Sequence, residues 1–489
     1  MKKLVNLIFI SLLALTSCSD DLDINTDPNT PQEINKGLAL SAAQGSITTI
    51  MGGEFFNLGG MFAQFYTQAP SAGQYDAIDQ YNLDTDYANR LWTELYAGAL
   101  NDLEFVLSES EDQGDTGTYL IATCLKAYTM QYLVDVFGDV PYNEAFQGSS
   151  NISPSTDEGE EIYLDLLSKI DKALASYKEN NINSDVGQQD LIFAADMDKW
   201  VQFANTLKLK LYSRMSNTDQ ANSAAVTTLL SEGNFLTENA SFTAFTDATS
   251  KRNPYYEVQI QALGDVNDVA SNSLLEFYTR NNDPRLERVF KPNTEGEYIG
   301  IEQGIGILAE PYGGYQAQEF ARPDIQPTTP VYLMSLPESS FLQAEAYARY
   351  GSSEQAQEKY EEGVIRSFEL YGLSTADAMD LISPDGAYAF DATADLEDQL
   401  ETIINQKWAA LANVNNIEAW IETRRTGYPL LVDTQDPAYE EGRRIYSLAS
   451  VLPEGQIPAS IYYPDNEVQR NSNLTQKPNL LQEVWWNQD

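Results

Sequence analysis

From Thr85 onward, apolar residues return every three or four positions. In "TDYANRLWTELYAGALNDLEFVLSE" Trp92, Leu95, Tyr96, Ala99, Leu103 and Val106 fall on one face, which predicts an amphipathic helix. "GTYLIATCLKAYTMQYLVDVFGDVPY" is apolar on nearly every side and predicts a central helix that stops at Gly138, with Pro141 just beyond. A third helix is predicted after "SPSTDEGEEIYLDLLSKIDKAL", with Ser153, Ser155 and Thr156 as caps before an acidic first turn. A fourth covers "DMDKWVQFANTLKLKLYSRM", burying Trp200, Phe203, Ala204, Leu207 and Leu211. Between about residues 234 and 330 the period fades into Gly, Pro, Asn and aromatic residues, as in "SKRNPYYEVQ", which predicts long loops with short helices or strands.

Helical periodicity returns at Ser335. In "FLQAEAYARYGSSEQAQEKYEEGVIRS" the small and aromatic residues Ala344, Tyr347, Gly351, Ala356, Tyr360 and Gly363 resemble the signature positions of a tetratricopeptide helix–turn–helix unit. The fold class expected is therefore mainly α, with tetratricopeptide-like helix pairs carrying an irregular, loop-rich ligand-binding region.

The first residues follow another pattern. "MKKLVNLIFISLLALTS" has two lysines and then an apolar run shorter than the roughly 20 residues a membrane-spanning helix requires. It reads as an export signal over residues 1–17. Leu15-Thr16-Ser17-Cys18 resembles the lipobox of bacterial lipoproteins, which implies lipidation of Cys18; an ordinary signal peptide with an incidental cysteine is the competing reading. "CSDDLDINTDPNTPQ" then reads as a flexible acidic tether over 18–40, ahead of a single globular domain over 41–489. The order Cys-Ser-Asp-Asp also resembles a signal that sends lipoproteins to the cell surface. A calcium loop starting at Asp21 is excluded, since its sixth position is Thr26 and its twelfth Gln32.

Composition narrows the chemistry. Lys and Arg number 29 against 73 Asp and Glu, a net charge of −44. Such a chain repels phosphate backbones, so nucleic acid is not an expected partner. There is no histidine and there are two cysteines. Ser-His-Asp and Cys-His nucleophiles, and the usual zinc sites, are therefore excluded. The chain is not expected to be an enzyme, nor to carry a catalytic, metal or cofactor site. Carboxylate-pair glycoside hydrolysis survives only as a minor alternative, because chance acidic pairs are everywhere in such a sequence. Tyrosine is abundant, 29 against 19 Phe, and joins an apolar face to a hydroxyl in a way that suits wet binding surfaces.

Several stretches in order carry a resemblance across nearly the whole chain: "DINTDPNTP", "LWTELYAGALNDL", "FGDVPYNEA", "DMDKWVQFANTLKLKLYSRM", "YLMSLPESSFLQAEAYARYG", "IINQKWAALANVNNIEAWIETRRTGYP" and "IPASIYYPDNEVQRN". The sequence resembles the SusD/RagB family of nutrient-binding outer-membrane lipoproteins, in its second SusD-like branch. The resemblance implies binding of oligosaccharide without cleavage, with peptide as the alternative ligand. It also implies a SusC-type TonB-dependent transporter as partner, and a place at the outer membrane, lipid-anchored and surface-exposed.

A sugar site needs aromatic faces fringed by amides, held on loops of a rigid scaffold. Residues 59–84 offer Tyr66, Gln68, Gln74, Tyr75, Gln80 and Tyr81. "GEYIG" and "EPYGGYQAQ" offer Tyr298, Tyr312, Tyr315 and Gln316, with Tyr312-Gly-Gly-Tyr315 as the best pair. Tyr462, Tyr463, Pro464 and Glu467 read as a lock for the tail, and Arg424 and Arg425 as members of buried ion pairs.

Overall fold

The computed structural model describes residues 35–308, 310–436, 439–440 and 442–487. The signal segment, Cys18 and most of the acidic stretch lie outside them. Among the described residues, no helix is long and apolar enough to cross a membrane.

Helix α1 (Lys36–Met51) opens where the Asn35 side chain accepts the Leu38 N–H, 2.9 Å away. Residues 36–40, expected in the tether, thus belong to the body. Lys36 is buried against Asp115 at 2.7 Å, and Gly37, Ala39 and Leu40 are covered too. Helix α2 (Glu54–Phe62) follows. The predicted helix around Trp92 runs from Asn89 through a π-helical turn (Glu94–Leu100) into α3 (Asn101–Gln113), which stops at Gly114 with φ +66°. Helix α4 (Thr116–Phe137) is buried on almost every side and ends at Gly138, as its sequence predicts.

Helix α5 (Gly159–Asn180) starts later than its expected Ser/Thr caps. Thr156 and Asp157 instead form a two-residue strand against Val140–Pro141. The Asp157 carboxylate accepts the N–H groups of Tyr142 and Asn143, both at 2.9 Å, and the Asp139 carboxylate accepts the Gly159 N–H at 3.0 Å. Helices α6 (Met197–Arg214) and α7 (Ser223–Glu232) complete the first half.

The irregular stretch contains helix α8 (Asn272–Arg280) and short strands that reach across the chain. Strand β1 (Tyr66–Gln68) pairs antiparallel with β3 (Asp268–Ala270), and β2 (Ala240–Phe242) with β4 (Val331–Met334). Helices α9 (Leu336–Tyr350) and α10 (Ser353–Leu370) form the predicted tetratricopeptide-like pair. Ala344, Ala356 and Tyr360 are fully buried between them. A Cβ on Gly363 would stand 2.8 Å from the Phe341 ring, so the close approach requires glycine. Helices α11 (Thr375–Ile382), α12 (Leu396–Leu411) and α13 (Asn416–Thr426) follow. Helix α13 packs back onto α2, joining the two ends of the chain.

A knot of buried charge ties these halves. Lys210, Arg214, Lys407 and Arg425 meet Asp135, Glu338, Glu345, Glu418 and Glu422, every side chain at most 2% exposed. Arg214 reaches Glu418 at 2.7 Å and Asp135 at 3.1 Å, and also pairs with Glu422. Burial would raise the Glu418 pKa, but Arg214, Lys210 and Lys407 together hold it well below the usual range. Arg425 is ion-paired as expected; Arg424 has no ion pair among the described residues. Its guanidinium stacks 3.8 Å from the Trp420 ring centroid and donates to the Asp135 carbonyl, 2.7 Å away, and to that of Ala459. Burial pulls its pKa down to about 9. The tail is locked as its sequence suggests: Tyr463 donates to the Asp139 carbonyl at 2.6 Å, and Asn89 to Asp465 at 2.9 Å.

Candidate functional site

The two tyrosine-rich stretches, more than 200 residues apart in sequence, come together in space. Buried Asp79 accepts from Thr67 and the Gln68 N–H, both at 2.6 Å, and from Gln303 at 2.5 Å. Burial pushes its pKa up to about 6 against those hydrogen bonds. The Gly304 N–H donates to Thr67 Oγ1, 2.9 Å away. At the surface, Ser71 Oγ donates to the Tyr315 carbonyl at 2.8 Å.

Within this frame the expected contact residues separate. Tyr66 lies in β1 with no exposure, its hydroxyl donating to Asn413 and its ring against Phe56. Tyr81 is 2% exposed, with its edge on Phe62. Neither offers a ring face to a ligand, so both are reassigned to the core. The alternating apolar positions of a short strand and a tight turn look the same in sequence as a displayed aromatic.

Tyr312 and Tyr315 do form a surface pair. The Tyr315 N–H donates to the Tyr312 carbonyl at 3.0 Å, closing a turn in which Gly314 takes φ +92°. The rings meet edge to face at 5.7 Å over Phe320, and Tyr315 is 44% exposed. Tyr298 is half-buried against the body, and Gln74 is exposed. Tyr75 faces elsewhere. It is half-buried, its hydroxyl accepts from Gln259, and burial pushes its pKa up to about 12.

Tyr75 lines a half-open cleft of about 410 Å³ between α2 and the segment 250–259. Glu54 and Asn57 of α2, Tyr87, Arg90, Pro254 and Gln259 also line it. A second π-helical turn, Tyr256–Ala262, places Gln259; such turns recur at functional sites. Arg90 is held by Glu54 at 2.8 Å, and Arg252 by Asp247 at 2.6 Å and Glu257 at 3.1 Å. Burial raises the Glu54 pKa, and Arg90 partly offsets it. Four residue steps lead from Ser71, at the Tyr315 latch, to Tyr75 in the cleft, a span of at most about 14 Å. Residues 71–75 thus link the platform to the rim of the cleft.

Apolar ring faces, side-chain amides and already-paired charges suit a neutral or hydrogen-bonding ligand that stacks. The thiol of Cys124 is fully buried and pushed up, so it supplies no nucleophile. Glu54, Asn57, Tyr87, Arg90 and Gln259 were not singled out from sequence. "SKRNPYYEVQ" carried the one available signal, its Pro, Asn and aromatic content. Its meeting with α2 is a tertiary contact that no local pattern records.

Comparison with known proteins identifies the family and the fold. The second SusD-like family, described as starch-binding and associating with the outer membrane, matches residues 28–447. A SusD homolog from Bacteroides uniformis is similar at 24% identity, covering 93% of this chain and all of its own, with a TM-score of 0.76. A chitin-binding SusD homolog from Flavobacterium johnsoniae is similar at 21% identity, over 93% of this chain and 99% of its own, with a TM-score of 0.75. A SusD homolog from Bacteroides thetaiotaomicron matches at 20% identity over 93% and 99%, with a TM-score of 0.69. No curated protein matches the chain.

Proposed function

The chain belongs to the SusD-like family, and from that premise we propose that it binds oligosaccharide nutrients at the outer membrane and delivers them, uncleaved, to a SusC-type TonB-dependent transporter. The observation that carries the reading is the exposed Tyr312/Tyr315 platform, linked through residues 71–75 to the Tyr75 cleft. Sugar rings present C–H groups on their faces and hydroxyls at their rims. Stacked tyrosines take the first, and Gln74, Gln259 and Asn57 reach the second. A chitin-binding protein of the same fold supports a glycan ligand, as does the family's description as starch-binding.

Attachment through a lipidated Cys18 belongs to the same proposal, with residues 18–35 as the tether. The lipobox-like order at Leu15–Cys18 supports it. A tether of that length reaches at most about 60 Å, enough to hold the body over a barrel.

Calorimetric titration against pooled oligosaccharides, with pooled peptides in parallel, tests the ligand class. Heat with sugars alone is the expected outcome. Heat with peptides alone would replace the proposal with a peptide-binding lipoprotein of the same architecture, and release of shorter sugars would make it a glycosidase.

A further inference from the structure

A separate open groove of about 400 Å³ lies between the π-helical turn Glu94–Leu100 and the loop that follows Pro141. A ladder of near-parallel rings lines it. Trp92 stacks on Tyr96 at 4.5 Å and 30°, and Tyr96 on Phe146 at 6.0 Å and 24°. Pro141 and Pro154 line it too, and Ile152, two residues before Pro154, is 79% exposed. Two costly backbone choices present the rings. Tyr96 rides on the π-helical turn, its hydroxyl fixed by the Pro141 carbonyl at 2.8 Å. Phe146 holds φ +62°, a left-handed conformation that a bulky residue keeps only where its surroundings impose it. Polar side chains are few. Asn101 is exposed, and Glu467, on the short helix Asp465–Arg470, is half-buried. Among the described residues the Glu467 carboxylate has no ion pair and accepts only from the Asn471 side chain, at 3.4 Å.

We infer that this groove docks an extended segment of a partner polypeptide that carries prolines and a basic residue. Proline rings are apolar and their backbone is already fixed, so they seat against a ladder of aromatic rings at little entropic cost. The free carboxylate of Glu467 receives the Lys or Arg, and the chain's net charge of −44 draws a basic segment in. A sugar is served less well here. Its rim hydroxyls would meet a single side-chain amide, Asn101, whereas Asn57 and Gln259 both line the Tyr75 cleft. The groove is lined by none of the residues of that cleft or of the Tyr312/Tyr315 platform, so the inference is independent of the glycan reading.

The test uses three fluorescent dodecapeptides built from Pro-Pro-Arg, Ala-Ala-Arg or Pro-Pro-Glu repeats, titrated into the full chain at physiological salt and followed by anisotropy. Such repeats are rare in a general peptide pool, so this titration and the calorimetric one report different sites. The Pro-Pro-Arg peptide should bind roughly tenfold or more tightly than either of the others. Phe146→Asn removes the ring but keeps a residue that tolerates the left-handed backbone, and should weaken that peptide roughly tenfold. Glu467→Gln should weaken it about two- to fivefold. Circular dichroism checks folding, and Ala97→Arg, at an exposed position of the groove, blocks the site if Phe146→Asn does not fold. Oligosaccharide heat should be unchanged in every variant. Equal binding of the Ala-Ala-Arg peptide would reduce the effect to charge attraction and overturn the inference. Binding that survives both Phe146→Asn and Ala97→Arg would place the peptide elsewhere and overturn it as well. Loss of oligosaccharide heat in a folded Phe146→Asn protein would make the groove part of the sugar site, which also overturns it.

Discussion

Removing Arg214 tests the buried charge knot most directly. In Arg214→Met the methionine fills much of the volume, but three carboxylates lose a cation. Glu422 keeps Lys407 and Arg425, and Glu418 keeps Lys210, each at 2.8 Å. Among the described residues the Asp135 carboxylate keeps only neutral donors: Tyr163, Trp486 at 2.7 Å and Gln131 at 3.1 Å. A carboxylate stranded in this way costs about 3–5 kcal/mol. An ordered body of roughly 450 residues unfolds with an entropy of about 0.9 kcal/mol/K, so the melting temperature should fall by about 3–5 °C. Lys199→Met, which removes a half-exposed pair with Glu238, should cost at most about 1 kcal/mol and thus about 1 °C. Adding Asp135→Asn to Arg214→Met removes the stranded charge, and the new amide can donate to Gln131, whose side-chain oxygen has no partner. The double variant should therefore melt above the single one. Differential scanning calorimetry at pH 7 reads all four proteins. An Arg214→Met protein within 1 °C of the parent, or a double variant whose losses simply add, would refute the account.

Asp268 is buried beneath Tyr255, which donates to it at 2.7 Å, and burial pushes its pKa up to about 7. In the unfolded chain it ionises near 4, so between those values only the folded state holds the proton, and stability falls as pH rises through that window. Asp268→Asn should accordingly raise the melting temperature at pH 8 and leave it nearly unchanged at pH 3.5, with denaturant titration at both values as the check. Gly363→Ala should cost about 1–3 kcal/mol by overpacking against Phe341, read from the urea midpoint. Replacing Tyr312 and Tyr315 together by alanine should weaken oligosaccharide binding roughly tenfold with an unchanged melting temperature; a large thermal shift would mark the pair as structural instead. Cys18→Ala should abolish metabolic labelling with palmitate, and surface labelling unchanged by that substitution would refute the anchor.

Much of the helical frame was legible because it depends on local period. Trp200, Phe203 and Leu207 are buried as their spacing predicts, and Ala344, Ala356 and Tyr360 pack as a repeat pair should. The late start of α5 was not legible. Its Ser and Thr residues are good caps in isolation, but Asp139 and Asp157 reach the backbone first. The site was half legible for a related reason. Tyr315 stands on a Gly-bearing turn, whose geometry is local. Tyr66 and Tyr81 have the same composition around them, yet they are buried by partners such as Asn413 and Phe62 that only the fold supplies. The cleft itself is made by residues 54–57 meeting 253–259, a juxtaposition set by strand pairing between β1 and β3.

The charge knot also fixes a timetable for a newly made chain. Arg214 finds Asp135 only 79 residues behind it, but its other partners, Glu418 and Glu422, are synthesised 204 and 208 residues later. Until they arrive, burying Arg214 and Lys210 would strand their cations, so the growing N-terminal half has reason to remain open and hydrated. Closure over such distances is slow, since the entropy of a long loop must be met before the contact rewards it. The knot itself therefore cannot close until nearly the whole polypeptide is present.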